Sequence, residues 1–328
     1  MLKNKKIILL VISAILGTSL IGCGSSNVNN KSQANNKSVE AKADKESAEF
    51  KFVESDGREV ILEKFPEKIV TDSAISARFL AALDVDLVGV PTSSTQMPEK
   101  YKDVAKVGRA GSPDYEVIKN LGTELVVSTE ASKKGTLQKY DELNIPIMYL
   151  KIDKYEQVKD TIDKVGKLLN KEEKCNEILK DMNKREDAIK AKVKDKDTKK
   201  VMVIYGNGEG FNALTDDHFI GSLFEKLKVE NITSTMGNIK ANGNNGVPFS
   251  NEQVLEFDPE YILRLSNGNN EASLKAFNDE FEKNTIWSQT KAFKEKKVID
   301  LDPTLFRMSS GVNSIDALEN LYELLYEK

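Results

Sequence analysis

The sequence predicts an α/β protein of two Rossmann-like lobes joined by a single long connector helix. Three observations carry this. Short β-rich runs alternate with short helical runs from residue 49 to about residue 150, the pattern of a mainly parallel sheet covered on both faces. The same alternation starts afresh at Lys200. Between the two series, an apolar stripe at helical spacing runs for about 23 residues, roughly 35 Å of helix.

The first lobe is assigned to residues 49–169. Phe50-Lys51-Phe52-Val53 and Glu59-Val60-Ile61-Leu62 flank the turn signal Ser55-Asp56-Gly57-Arg58, which reads as a hairpin. Strand-like runs follow at 68–71, 86–90, 124–128 and 147–150, with helices at 76–83, 115–121 and 136–143 between them. Val158, Ile162, Val165 and Leu169 then repeat at helical spacing up to Asn170, a residue suited to the left-handed position that ends a helix. The connector, residues 170–197, carries Cys175, Leu179, Met182, Ile189 and Val193 on one face and charged residues elsewhere. Cys175 on that stripe reads as a small core residue. The second lobe, residues 198–328, shows strands at 200–205, 261–265 and 297–301, a helix at 219–226 and a closing amphipathic helix at 314–326. Trp287, with Phe281 and Phe293 nearby, reads as core packing.

The N-terminus has its own logic. Lys3, Lys5 and Lys6 precede an apolar run from Ile7 to Ile21, too short to span a bilayer comfortably. Residues 1–22 therefore read as a secretion signal, and Leu20-Ile21-Gly22-Cys23 resembles the lipobox of bacterial lipoproteins. The resemblance implies acylation of the Cys23 thiol. Residues 23–48 are mostly Ser, Asn, Lys and Ala, a flexible tether with a coil reach of about 25–30 Å. The expected location is the outer face of a Gram-positive-type cell membrane, held by lipid.

Composition narrows the function. A formal net charge of −4 argues against nucleic acid as a partner. With two cysteines, one of them in the lipobox, no disulfide framework or cysteine zinc site is expected. The single histidine, His218, leaves little for Ser-His-Asp or metallohydrolase chemistry. Neither lobe shows a Walker A motif or GxGxxG, and Gly206-Asn207-Gly208-Glu209-Gly210 reads as a tight loop.

In open α/β sheets ligands bind at the carboxyl ends of the strands, so two facing lobes enclose one cleft. The loops expected there are 72–77, 108–114, 129–135, 206–212, 242–250, 266–270 and 304–311. Arginine is scarce, yet Arg78, Arg109, Arg264 and Arg307 fall in or beside these loops. A planar guanidinium suits carboxylate or catecholate recognition, so these four read as clamps for an anionic ligand. The competing reading pairs some of them with local acids, Arg264 first because it lies within a strand. His218 reads either as a helix cap or as a ligand contact, and Tyr205, at a strand end, as a contact for ligand or metal or as a buried structural phenol.

Ser55-Asp56-Gly57-Arg58-Glu59-Val60, Pro66-Glu67-Lys68-Ile69-Val70 and Leu87-Val88-Gly89-Val90-Pro91 resemble the opening of iron-complex ABC-transporter binding proteins, and the likeness covers essentially the whole chain after Cys23. Within that group the chain is most similar to IsdE-type haem-receptor lipoproteins, through Ile220-Gly221-Ser222-Leu223, Ser250-Asn251-Glu252, Ile262-Leu263-Arg264-Leu265 and Ile286-Trp287. The resemblance implies the helical-backbone type of periplasmic-binding-protein fold and a monomer without catalytic cofactor. It also implies a cargo of haem, ferric siderophore or cobalamin, delivered to an ABC permease and its ATPase. Docking would use one acid per lobe, Glu116 and Glu252. The haem receptors ligate iron with a Met and a His, and the matching positions here are Gly111 and Asn267, neither of which can bind haem iron. Either other groups such as Tyr205, His218 or Met308 hold haem, or the cargo already saturates its iron. The remaining alternative is a surface-anchored hydrolase using acids such as Asp72 and Glu130.

Overall fold

The computed structural model describes residues 50–93, 96–206, 210–236, 246–267, 271–306, 308–309 and 311–327. The chain opens with a hairpin, β1 (Phe50–Val53) and β2 (Glu59–Leu62), paired antiparallel with Phe50 opposite Leu62 and Val53 opposite Glu59. Gly57, at φ +87°, supplies the left-handed residue of its turn. Phe52, Val60 and Leu62 face inward while Lys51, Val53, Glu59 and Ile61 face out, the period-two alternation of a one-sided sheet.

The first sheet comprises β3 (Ile69–Thr71), β4 (Gly89–Val90), β5 (Ala105–Lys106), β8 (Leu125–Thr129) and β9 (Ile147–Leu150), in the order β5-β4-β3-β8-β9 and parallel throughout. Strands β3 and β9 are buried along their whole length and β8 along nearly all of it, as expected where helices cover both faces. Between them lie α1 (Ala74–Ala82), a small hairpin of β6 (Gly108–Arg109) and β7 (Ser112–Pro113), α2 (Tyr115–Asn120) and α3 (Glu130–Glu142). Helix α3 occupies the stretch 129–135 that was expected as a loop. Its buried residues are Thr136 and Tyr140, so its inward face is polar and leaves no apolar periodicity in the sequence.

Two helices make the crossing. The first, α4 (Tyr155–Leu168), ends before Asn170, whose φ of +52° is the left-handed residue expected there. The second is α5 (Glu172–Val193), 22 residues long. A Cβ on Gly166 of α4 would lie 2.7 Å from Cys175 Sγ, so glycine is what lets the two helices close on each other. Cys175 is buried there, and burial pushes its thiol up to about 11.

The second sheet contains β10 (Lys199–Gly206), β11 (Phe211–Leu214), β12 (Val229–Asn231), β13 (Gly246–Val247), β14 (Tyr261–Ser266) and β15 (Val298–Leu301). Its order is β13-β11-β10-β14-β15, with β12 also on β10. Strands β10, β12, β14 and β15 run parallel, whereas β11 and β13 bring two antiparallel pairings to one edge. The accompanying helices are α6 (Phe219–Phe224), α7 (Asn251–Phe257), α8 (Glu271–Lys283), α9 (Lys291–Lys294), α10 (Pro303–Phe306) and α11 (Ser314–Tyr326). Trp287, the single tryptophan, is 2% exposed and stacks on Phe281 at 4.4 Å between ring centroids.

The chain crosses once, but the halves meet along more than that crossing. One apolar cluster holds Leu80, Val127 and Ile162 together with Val203, Leu263 and Leu321. The Tyr155 N–H donates to Ser222 Oγ of α6 (3.0 Å), and Lys154 pairs with Asp217 (2.8 Å). On α5, Arg185 forks onto Asp316 and Glu319 of α11. Its neighbour Glu186, 2% exposed, meets Lys159 of α4 (2.9 Å) and Lys190, with Lys226 beyond at 3.8 Å. Burial raises the Glu186 pKa, and Lys190 and Lys159 more than reverse that, leaving it lowered. The connector is thus clamped on both sides.

Candidate functional site

The carboxyl ends of the first sheet carry several of the residues singled out by the sequence. After β3, Ser73 caps α1, its hydroxyl accepting from the Ser76 N–H (3.4 Å), and α1 presents Arg78 as an exposed residue. Arg109 lies on β6, opposite Ser112 of β7, with Ala110 and Gly111 forming the tip between them. Gly108 (φ +88°) and Gly111 (φ +78°) make this tight reversal possible. Arg109 is exposed and makes no ion pair among the described residues. A Cβ on Gly111 would meet nothing within 4 Å, so the position is held to glycine by its backbone angle and not by crowding.

Asp72, between β3 and α1, is 2% exposed. It accepts hydrogen bonds from Ser128 Oγ at the end of β8 and from Tyr140 OH on α3 (3.0 Å). Burial pushes its pKa above the usual carboxylate value, against the two hydroxyls that lower it. Glu130, at the start of α3, accepts from Ser55 Oγ (2.9 Å) and lies 3.4 Å from Lys151. These are the two acids proposed for hydrolysis. One is enclosed and the other is shared between a serine and a lysine, so they do not form an open acid–base pair.

In the second lobe, Tyr205 is half-buried next to the end of β10, packed on the main apolar cluster. Asn267, exposed just past β14, donates its N–H to the Gly206 carbonyl (2.9 Å), so Tyr205, Gly206 and Asn267 share one rim. Met308 is 43% exposed beyond α10. Arg307 and Cys23 lie outside the described residues.

Two residues take the competing roles that the sequence offered for them. Arg264 gives its fork to Asp300 (2.8 and 2.7 Å) and a further N–H to Asn278 (3.1 Å), over the rings of Phe277 and Phe281. It lies directly opposite Asp300 in the register of β14 and β15, so the fold itself uses this guanidinium. His218 takes the capping role. Strand β11 runs antiparallel to β10, carrying the chain away from the carboxyl ends before α6 begins. There His218 caps the helix, Nδ1 accepting from the Ile220 N–H (3.3 Å).

Glu116 and Glu252 are both exposed, in the first turns of α2 and α7. Asp114 caps α2 and Ser250 caps α7, the latter in a capping box with Gln253. The Glu252 carboxyl is held below the ordinary range by its own backbone N–H and the Ser250 hydroxyl. Among the described residues no three His, Cys, Asp or Glu side chains gather as a metal site, and no helix is long and apolar enough to cross a membrane.

Sequence reasoning missed the Asp72 network and the charge clusters at Glu54 and Glu186. Glu54 is also buried, paired with Arg58 and Lys133, and accepts the Tyr149 N–H (2.8 Å). The available signals were Glu54 and Asp72 directly after apolar strand runs and Glu186 at helical spacing with Met182, Ile189 and Val193.

A Staphylococcus aureus relative, "High-affinity heme uptake system protein IsdE", is 30% identical over 261 residues, which is 79% of this chain and 87% of the relative. The solved structure of S. aureus IsdE complexed with heme superposes with a TM-score of 0.68 at 29% identity, covering 79% of this chain and 98% of that one. An ABC transporter substrate-binding protein from Listeria monocytogenes EGD-e gives a TM-score of 0.70 at 28% identity, covering 81% of this chain and all of that one. The family described as periplasmic binding protein matches residues 69–305, from the first parallel strand to α10. The chain belongs to that family.

Proposed function

We propose that this chain is the substrate-binding component of an ABC importer, capturing an iron complex between its lobes and handing it to a membrane permease. Capture leaves the cargo chemically unchanged, so the protein is a binding protein and not an enzyme. The observation that carries the reading is a likeness to a haem-uptake protein and an ABC substrate-binding protein that extends over about four-fifths of the chain. The lobes would be residues 49–169 and 198–328, with 170–197 as connector. Exposed Arg78 and Arg109 suit the anionic arms of such a cargo.

The cargo class narrows at two positions. Gly111 and Asn267 stand where the resemblance places a Met and a His on iron. Haem would then depend on the half-buried Tyr205 or the exposed Met308, whereas a ferric siderophore brings its own iron ligands. Arg109 serves either, through propionates or through a chelate's negative charge.

Docking is proposed through Glu116 and Glu252, exposed carboxylates one per lobe, each meeting an arginine pocket on a two-fold permease. Anchoring is proposed at Cys23, and changing Cys23→Ala should move the protein from the membrane fraction to the medium.

The test is titration of the purified protein with hemin, a ferric tris-catecholate, a ferric trihydroxamate and cobalamin, followed by absorbance and fluorescence. Saturable binding of hemin or a ferric chelate is expected. Binding of cobalamin alone, or of none of the four, overturns the iron-complex assignment. Arg109→Ala should weaken the bound cargo about tenfold, the loss of one charge-assisted contact.

A further inference from the structure

The two sheets differ at the amino edges of their strands. In the first lobe, the turns into β4, β8 and β9 hold left-handed Asp84, Gly122 and Asn144. In the second, the turns into β12, β14 and β15 hold left-handed Lys228, Asp258 and Lys296. Glycine and asparagine adopt such angles with little strain, whereas lysine does not. The backbone therefore gains nothing from lysine at φ +51° and +59°, and both side chains are exposed.

More lysine gathers around these two. Residues 192–200, which end α5 and open β10, and residues 291–297, which form α9 and the turn into β15, contain nine lysines and three acids between them, in a chain of formal net charge −4. The Lys199 N–H donates to the Lys228 carbonyl (3.1 Å), the Glu260 N–H to the Lys200 carbonyl (2.9 Å) and the Ile262 N–H to the Lys297 carbonyl (3.1 Å), so these segments share one edge. Glu260 and Glu295 are taken by Lys291 (3.1 Å) and Lys297 (2.7 Å), and Asp258 accepts the Lys291 N–H (2.7 Å). Asp195, Asp197 and Glu230 are the other acids here. Against them, Lys194, Lys196, Lys200, Lys228, Lys294 and Lys296 are exposed and pair with no carboxylate among the described residues.

The same edge carries an exposed aromatic ring. Phe293, 40% exposed, sits on α9 between Lys291 and Lys294, while Lys297 stands over the Tyr261 ring (5.1 Å) and Lys199 over that of Tyr326 (5.8 Å). Cations interleaved with amphipathic rings suit a boundary between water and lipid. Resting on the Cys23 anchor proposed above, we infer that this lysine edge, with Phe293, is a contact surface for the anionic headgroups of the membrane that holds the protein. The lysines meet lipid phosphates and Phe293 enters between them. A soluble polyanion would use the lysines but leave Phe293 in water. The coil reach of residues 23–48, about 25–30 Å, keeps the body close to the bilayer.

The test is sedimentation of the chain from Gly24 to Lys328, which keeps every described residue and carries no lipid, with vesicles of phosphatidylcholine and with vesicles in which about one-third of the lipid is phosphatidylglycerol. Binding to the anionic vesicles alone is expected, weakening as salt is added. Lys296→Asn removes a charge and seats a residue suited to the left-handed angle, so affinity should fall about fivefold with the unfolding midpoint unchanged or raised. Lys119→Asn, at the exposed end of α2 in the first lobe, should leave affinity unchanged. Phe293→Ala should weaken binding to the vesicles and not to soluble polyphosphate. No binding to the anionic vesicles, equal affinity of Lys296→Asn and wild type, an equal loss in Lys119→Asn, or an unchanged affinity of Phe293→Ala for the vesicles overturns the inference. The cargo titration and the Cys23→Ala fractionation involve none of these variants, so those readings stand or fall separately.

Discussion

At the waist of the molecule Glu186 is met by Lys159 and Lys190, with Lys226 just beyond, whereas under the first sheet Asp72 is met by a serine and a tyrosine. Both carboxyls are 2% exposed, and their pKa values move in opposite directions. Burial alone raises either one; at Glu186 the lysines overcome it, and at Asp72 the two hydroxyls do not. The waist therefore uses its carboxylate to hold three segments together, whereas the Asp72 carboxyl is held by neutral hydroxyls.

Breaking the waist gives the largest expected effect. Glu186→Ala removes the buried carboxylate among Lys159, Lys190 and Lys226, leaving Glu156 as the acid beside Lys159 and Lys226, and should cost about 3 kcal/mol, read from denaturant unfolding. Gly166→Ala attacks the same region by volume. The new methyl would sit against Cys175 Sγ and Cβ, which belong to a packed helix pair, so a loss of about 1–3 kcal/mol is expected in the same assay. Arg185→Ala removes the fork to Asp316 and Glu319, whose side chains are 48% and 40% exposed, and should cost about 1 kcal/mol or less.

The smallest effect sharpens the comparison by pH. The Glu186 pKa is lowered, so its contribution is complete above the ordinary value of 4.5 and is lost as pH falls through the folded-state value. The Asp72 pKa is raised, so its ionisation costs stability progressively as pH rises from about 3.8 through the folded-state value. Asp72→Asn should therefore compare more favourably with wild type at pH 8 than at pH 4 in unfolding measurements. Glu186→Gln should show the reverse trend, with its deficit shrinking in acid.

Much of this architecture was legible in the sequence because it rests on apolar periodicity. The closing helix at 314–326 and the strand pair 261–265 and 297–301 sit where the pattern puts them, and Asn170 takes the left-handed angle its residue type suggests. Helix α3 began six residues earlier than expected because Thr136 and Tyr140, not aliphatic residues, fill its inner face. The site was harder to read. Arg264 meets Asp300 only because β14 and β15 align in a particular register, 36 residues apart in sequence, and no local pattern records that. His218 caps α6, one of the two roles its sequence position offered, but the reversal at β11 that carries it there depends on antiparallel pairing to β10, which the residues themselves do not announce. The stretch 108–114, read as a loop, forms the two-stranded hairpin that displays Arg109.

Trp287 gives the molecule a built-in optical gauge. As the sole indole, fixed flat against Phe281 inside the second lobe, it emits from one site in one orientation. A pigment arriving between the lobes would drain that emission by energy transfer, while a colourless anion would leave it bright, so the intact protein distinguishes the two kinds of passenger without any label.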